Sequence, residues 1–134
     1  MRVVADTNVY VSALVFGGKP QAILDQAQEG WIELFISDEI LEEITRVLRE
    51  KFHRTPDELQ SDTTALEAIT TRVRPVERVK VIQDDPTDNV ILEAAVAADA
   101  EIIISGDRHI LALGSFRGIP MMRVAEFLET HRER

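Results

Sequence analysis

The sequence predicts an α/β protein, a three-layer α/β/α sandwich around a mostly parallel central sheet. Short β-branched runs recur at Arg2-Val3-Val4-Ala5, Ile32-Glu33-Leu34-Phe35-Ile36 and Ile102-Ile103-Ile104, and stretches of helical apolar spacing lie between them. The connections are short, and strands alternating with helices through short links are the pattern of a parallel sheet covered on both faces.

The first strand, Arg2 to Ala5, stops at Asp6, and Thr7 to Val15 reads as a helix ended by Gly17-Gly18. A second helix is expected from Pro20 to Gln28, stopping at Gly30, before the strand Ile32–Ile36. Ser37 has the character of an N-cap, and Ile40, Leu41, Ile44, Val47, Leu48 and Phe52 form one apolar face of a long helix behind it. Thr55-Pro56-Asp57-Glu58 carries the cap, proline and early acids of another helix start, with the helix expected to reach about Arg72. A short strand is expected near Val79-Lys80-Val81-Ile82. Asp85-Pro86-Thr87-Asp88 then opens an alanine-rich helix, Asn89 to Ala98, whose small side chains allow close approach to a sheet. Ile102–Ile104 has the continuous apolar character of a strand buried on both faces. A short helix from Ile110 to Leu113, turns at Gly114 and Gly118, a strand from Met121 to Val124 and a helix from Ala125 to about His131 complete the chain.

With 134 residues, 45% hydrophobic and 29% charged, the chain is expected to form one domain over residues 1–134. Apolar residues are too frequent for intrinsic disorder, and no apolar stretch approaches the roughly 18 residues of a membrane span. Asp6 interrupts the N-terminus before a signal peptide could develop, and the absence of Cys removes disulfides and thiolate metal sites. Both features are those expected of a cytoplasmic protein.

The formal net charge of −9 argues against nucleic-acid binding by a bulk positive field. Its distribution is uneven. Residues 1–45 hold two basic and eight acidic residues, 46–80 hold eight basic and six acidic, and 84–107 hold seven acids and no base.

In parallel sheets, ligands gather beyond the carboxyl ends of strands, and Asp6 and Asp107 both stand directly after a predicted strand. Each also suits a helix N-cap. Asp85-Pro86-Thr87-Asp88 likewise fits a capping box, although a first-turn side chain also lies beside amides that favour anions. In the helix after Ser37, a wheel places Glu43 nearer the apolar arc than Glu39 or Glu42, so Glu43 is the acid expected at the edge of a cleft. Were Asp6, Glu43, Asp88 and Asp107 to converge, pairs about 4 Å apart would repel by roughly 4 kcal/mol each at an effective dielectric near 20. Such a cluster needs a cation or a proton, and an all-oxygen set selects Mg²⁺ or Mn²⁺ over Zn²⁺. An ion of that kind polarises a phosphodiester, generates hydroxide from water and steadies the leaving oxygen.

Four segments together give the chain a family resemblance: Val3-Val4-Ala5-Asp6-Thr7-Asn8, Ser37 to Ile44 with Val47-Leu48, Asp84-Asp85-Pro86-Thr87-Asp88-Asn89 with Ala94-Ala95, and Ile103-Ile104-Ser105-Gly106-Asp107. In their order and spacing they resemble a PIN domain, specifically the VapC-like toxins of prokaryotic toxin–antitoxin pairs. The resemblance implies a metal-dependent endoribonuclease acting on single-stranded RNA. Its acidic site would be Asp6, Glu43, Asp88 and Asp107, with Asp6, Asp88 and Asp107 as ligands of Mg²⁺ or Mn²⁺ and Glu43 acting through a water. It further implies a homodimer neutralised by a cognate antitoxin.

Ser105 stands where many members have Thr and keeps a hydroxyl that can bond a neighbouring carboxylate. Asn8 and Asn89, beside motif acids, either orient ligands or serve turns. Arg46 and Arg49 share a helical face with His53, and with Lys51, Arg54, Arg72 and Arg74 nearby they are candidates for a basic rim that binds RNA. Tyr10 and Trp31 are expected to pack rather than stack on bases. Two phosphoryl-transfer rivals lose on residues: a receiver domain needs an acid adjacent to Asp6 and a lysine near a later strand end, whereas this chain has neither an adjacent acid nor any lysine after Lys80, and a haloacid-dehalogenase-type phosphatase needs an acid where Asn8 stands. A catalytically silent PIN-like module that binds protein or RNA is the remaining alternative.

Overall fold

The computed structural model describes residues 1–83 and 85–131, with Pro86 described by its backbone alone. The elements in order are β1 (Arg2–Ala5), α1 (Thr7–Phe16), α2 (Gly18–Glu29), β2 (Glu33–Ser37), α3 (Asp38–Phe52), α4 (Pro56–Ile69) and β3 (Thr70–Val73). A 3-10 turn (Pro86–Asp88) then leads into α5 (Asn89–Ala98), β4 (Ile102–Ile104), α6 (Arg108–Ala112), β5 (Ser115–Phe116), β6 (Ile119–Met122) and α7 (Val124–Thr130). Among the described residues the strands form one six-stranded sheet in the order β3-β2-β1-β4-β6-β5. Every pairing is parallel except that of β5 with β6. Helices flank the sheet, giving the expected α/β/α sandwich.

The strand order sets the place for a site. From β1 the chain builds outward to β2 and β3, then returns to lay β4 on the other side of β1. The edge between β1 and β4 is thus a topological switch point, where the loops leaving two neighbouring strands part and open a crevice. β1 and β4 can lie at the centre because Val3, Val4, Ala5, Ile103 and Ile104 are fully buried. α5 packs on this region through Leu92, Ala94, Ala95 and Ala98, also without exposure, which explains its small side chains. In α3, Ile40, Ile44 and Leu48 are buried at i, i+4 and i+8. Each such side chain contributes about 1.5–3 kcal/mol of burial, enough to fix which carboxylates of the helix face inward.

Several expectations are corrected. The helix before β3 ends at Ile69, and Thr70–Val73 forms an edge strand beside β2 rather than the last turn of α4. Residues 79–82 form no strand: side chains from α5 hold the segment instead of a ladder. The Val79 N–H donates to Glu93 Oε2 at 2.9 Å, and Asn89 Oδ1 accepts from the N–H groups of Val81 and Ile82 at 3.1 and 2.9 Å. The Asn89 amide donates in turn to the Ile82 carbonyl at 2.8 Å. The final strand lies at Ile119–Met122, and Gly118, at φ 81°, turns a hairpin with β5. Tyr10 is fully buried as expected, whereas Trp31 is 45% exposed and donates its indole N–H to Glu29. Among the described residues no helix is long and apolar enough to cross a membrane.

Candidate active site

Asp6 extends the end of β1, its N–H donating to the Ile104 carbonyl at 3.0 Å, and its Oδ1 caps α1 by accepting from the Val9 N–H at 3.1 Å. Its other oxygen accepts the hydroxyl of Ser105, a fully buried residue just past β4. The same Ser105 Oγ accepts the Asp107 N–H at 2.9 Å. Asp107 caps α6 through Oδ1, which accepts from the N–H groups of His109 and Ile110 at 2.8 and 3.1 Å. Capping and site-building are therefore the same arrangement: the caps fix the carboxylates, and Ser105 ties the loop after β4 to the acid after β1.

Asp88 is delivered by a different device. The 3-10 turn closes with its N–H on the Asp85 carbonyl at 3.0 Å, and Asp85 Oδ1 accepts from the Thr87 N–H at 3.2 Å. The expected capping box does not form, since α5 begins at Asn89 and the Asp88 side chain caps nothing. Its Oδ2 is instead buried with no hydrogen-bond partner among the described residues. Asp84, part of the same acidic motif, lies outside the described residues.

Asp6, Glu43, Asp88 and Asp107 line one cleft of about 170 Å³, together with Thr7, Asn8, Asp85 and Thr87. Val47 and Lys51 form its α3 wall with Glu43, at i+4 and i+8 on one helical face. The four predicted acids thus meet across the switch point. Glu43 also pairs with Arg46 at 3.5 Å, while Glu39 is drawn away to Arg78 at 3.3 Å.

The electrostatics record this crowding. Burial raises the Asp6 carboxyl above its ordinary range against the lowering effect of the Ser105 and Val9 hydrogen bonds, and the Asp107 charge raises it further. Asp88 is pushed up to about 7, first by desolvation and then by the nearby carboxylates of Asp107, Asp85 and Asp6. A proton held by Asp88 offsets part of the charge that a cation would otherwise balance. Burial likewise raises the Tyr10 phenol, with the nearby Asp6 charge adding to the effect. Among the described residues no three acidic or imidazole side chains already enclose an ion-sized space. The carboxylates share a cleft as a set that a cation would still have to gather. That set fits a hard divalent ion in two respects: its donors are all oxygen, and one of them, Asp88 Oδ2, is buried without a partner.

Of the other predicted residues, Asn8 lines the cleft, whereas the Asn89 side chain clamps residues 81–82. Arg46 and Arg49 lie along an adjoining groove with Leu41, Thr45 and Thr63 that shares Glu43 with the cleft. Lys51, named among the sequence candidates only as part of a broad basic rim, is the cation that lines the acidic cleft itself. Its spacing from Glu43 was the signal that could have singled it out.

A family model described as PIN domain matches residues 2–109. The chain belongs to the PIN-domain family. This PIN domain is 32% identical over 118 residues to an uncharacterized protein of Methanocaldococcus jannaschii, covering 84% of this chain and 75% of that protein. It is also similar in fold to a chain in the crystal structure of VapBC2 from Rickettsia felis bound to a DNA fragment from its promoter. That match has a TM-score of 0.66 and 13% identity, and covers 92% of this chain and 98% of the other.

Proposed function

We propose that this PIN domain is a Mg²⁺- or Mn²⁺-dependent endoribonuclease that hydrolyses single-stranded RNA, and that it is the toxin of a toxin–antitoxin pair, held by a cognate antitoxin and acting as a homodimer. One observation carries the nuclease reading: four carboxylates from four separate segments line one cleft, and one of them keeps a buried oxygen without a partner among the described residues. Asp6, Asp88 and Asp107 would hold the ion, which when bound supplies charge neutralisation and electrophilic activation of a phosphodiester. The antitoxin half of the proposal is supported by the fold shared with a chain of the Rickettsia felis VapBC2 structure.

The chain's own residues divide the remaining work. Ser105 and the first amides of α6 orient the Asp6 and Asp107 carboxylates before an ion would gather the set. Glu43, on the α3 wall of the cleft, would act through a water. Lys51 on the same wall faces the acids and supplies positive charge for a substrate phosphate. Asp88 would hold the ion as a carboxylate, which its raised proton affinity opposes.

The test is cleavage of a panel of single-stranded RNAs with Mg²⁺ or Mn²⁺ by the wild-type protein and by Asp6→Asn and Asp107→Asn variants. The proposal expects metal-dependent cleavage that both variants lose by at least a hundredfold. Equal cleavage by variants and wild type would place the activity elsewhere, and RNA binding without cleavage would favour the silent-module alternative.

A further inference from the structure

A second pocket of about 310 Å³ adjoins the acidic cleft and shares Asn8 with it, on the side where Gly106 precedes Asp107. Its floor is apolar, formed by Val9, Pro20 and Val124, and its charged lining residues are Lys19 at the start of α2 and Arg123 just before α7. Both are exposed, and neither makes an ion pair or a side-chain hydrogen bond among the described residues. Among the described residues five other cations, Arg49, Lys51, Arg74, Lys80 and Arg108, also lack a carboxylate partner, but none of these lines this pocket. The groove that shares Glu43 with the cleft carries Glu39, Glu42 and Glu43 against Arg46 and Arg49, a net negative lining.

Resting on the ribonuclease reading, we infer that the Lys19–Arg123 pocket is the subsite for a nucleotide flanking the cleaved bond. The two cations bind its phosphate, and the apolar floor receives the face of its base. A strand whose scissile phosphate lies in the acidic cleft meets positive charge and an apolar platform in the pocket that shares Asn8, and excess carboxylate in the groove that shares Glu43. Single-stranded nucleic acid is held by this combination of backbone cations and base-facing apolar surface.

The test measures binding of a short fluorescent single-stranded RNA in EDTA, and KM for its cleavage with Mg²⁺, in Lys19→Ala, Arg123→Ala and the double variant. Lys80→Ala serves as control because it removes one positive charge from a residue lining neither pocket. Each single variant is expected to weaken binding and raise KM about tenfold, with the double variant larger still. Each should also reduce the slope of log K against log salt by about 0.7. Lys80→Ala should match wild type within twofold. Lys19 and Arg123 variants that bind RNA like Lys80→Ala would overturn the subsite while leaving the nuclease reading intact. A wild-type protein that neither binds nor cleaves RNA would remove the reading beneath it.

Discussion

The hydroxyl of Ser105 donates to Asp6 Oδ2 while its oxygen accepts the Asp107 N–H at 2.9 Å, so one buried side chain joins the acids that follow β1 and β4. Ser105→Ala leaves a buried carboxylate oxygen and a backbone donor without that partner. It is expected to cost about 1–3 kcal/mol in a urea titration. The Asp6 carboxyl should rise further, because the hydroxyl is the largest influence lowering it.

The raised carboxyls make the metal-free protein sensitive to pH in a definite direction. Asp6 and Asp88 hold protons more tightly folded than unfolded, so their contribution favours folding fully near pH 4 and is lost as pH climbs through the folded value, about 7 for Asp88. Because Asp88 is only half-buried, screening reduces its share to the order of 1–2 kcal/mol. Melting curves in EDTA should show Asp88→Asn gaining stability over wild type from pH 5 to 8. An unchanged difference across that range would contradict the assignment.

The same proton links ion binding to pH. Since Asp88 must lose it for the ion to enter, Mn²⁺ affinity should rise with pH up to about 7 and level above it, approaching tenfold per unit on the acid side. Titration calorimetry in two buffers of different ionisation enthalpy would register the released proton.

Lys51 gives a prediction with opposite signs in two assays. It shares the cleft with the four acids, so Lys51→Ala removes a charge that repels a cation and attracts a phosphate. Mn²⁺ binding should tighten a few-fold while KM for RNA rises about tenfold. A variant that weakens both would indicate a structural role.

Asn89 is assigned to the fold rather than to ligand. Asn89→Ala orphans the N–H groups of Val81 and Ile82 and the Ile82 carbonyl, and should cost about 2–4 kcal/mol and expose the segment 79–83 to limited proteolysis.

Much of this was legible in the sequence, for physical reasons. Asp6 and Asp107 follow strands whose continuous apolar character can only mean burial at the sheet centre, and the α3 wheel separated Glu43 from Glu39 and Glu42 because Ile40, Ile44 and Leu48 leave a single buried face. The errors fell where local pattern competes with tertiary context. Thr70–Val73 continues α4 without a glycine or proline to stop it, and its strand character comes from an edge pairing with β2. Val79–Ile82 has strand composition, but its backbone groups are satisfied by Glu93 and Asn89, a choice that local propensity does not encode. Asp88 fitted a capping box by spacing, yet the 3-10 turn rotates it out of the cap and leaves its oxygen for the cleft.

The central claim is that the acids of this cleft act together as a site for a divalent ion. Titration calorimetry of Mn²⁺ into the metal-free protein at pH 7.5 tests it most directly, with Asp6→Asn, Asp88→Asn and Asp107→Asn compared under the same conditions. Saturable binding by wild type, weakened tenfold or more in each variant, is the predicted result. No saturable uptake by a folded wild-type protein, or uptake indifferent to all three substitutions, would contradict it.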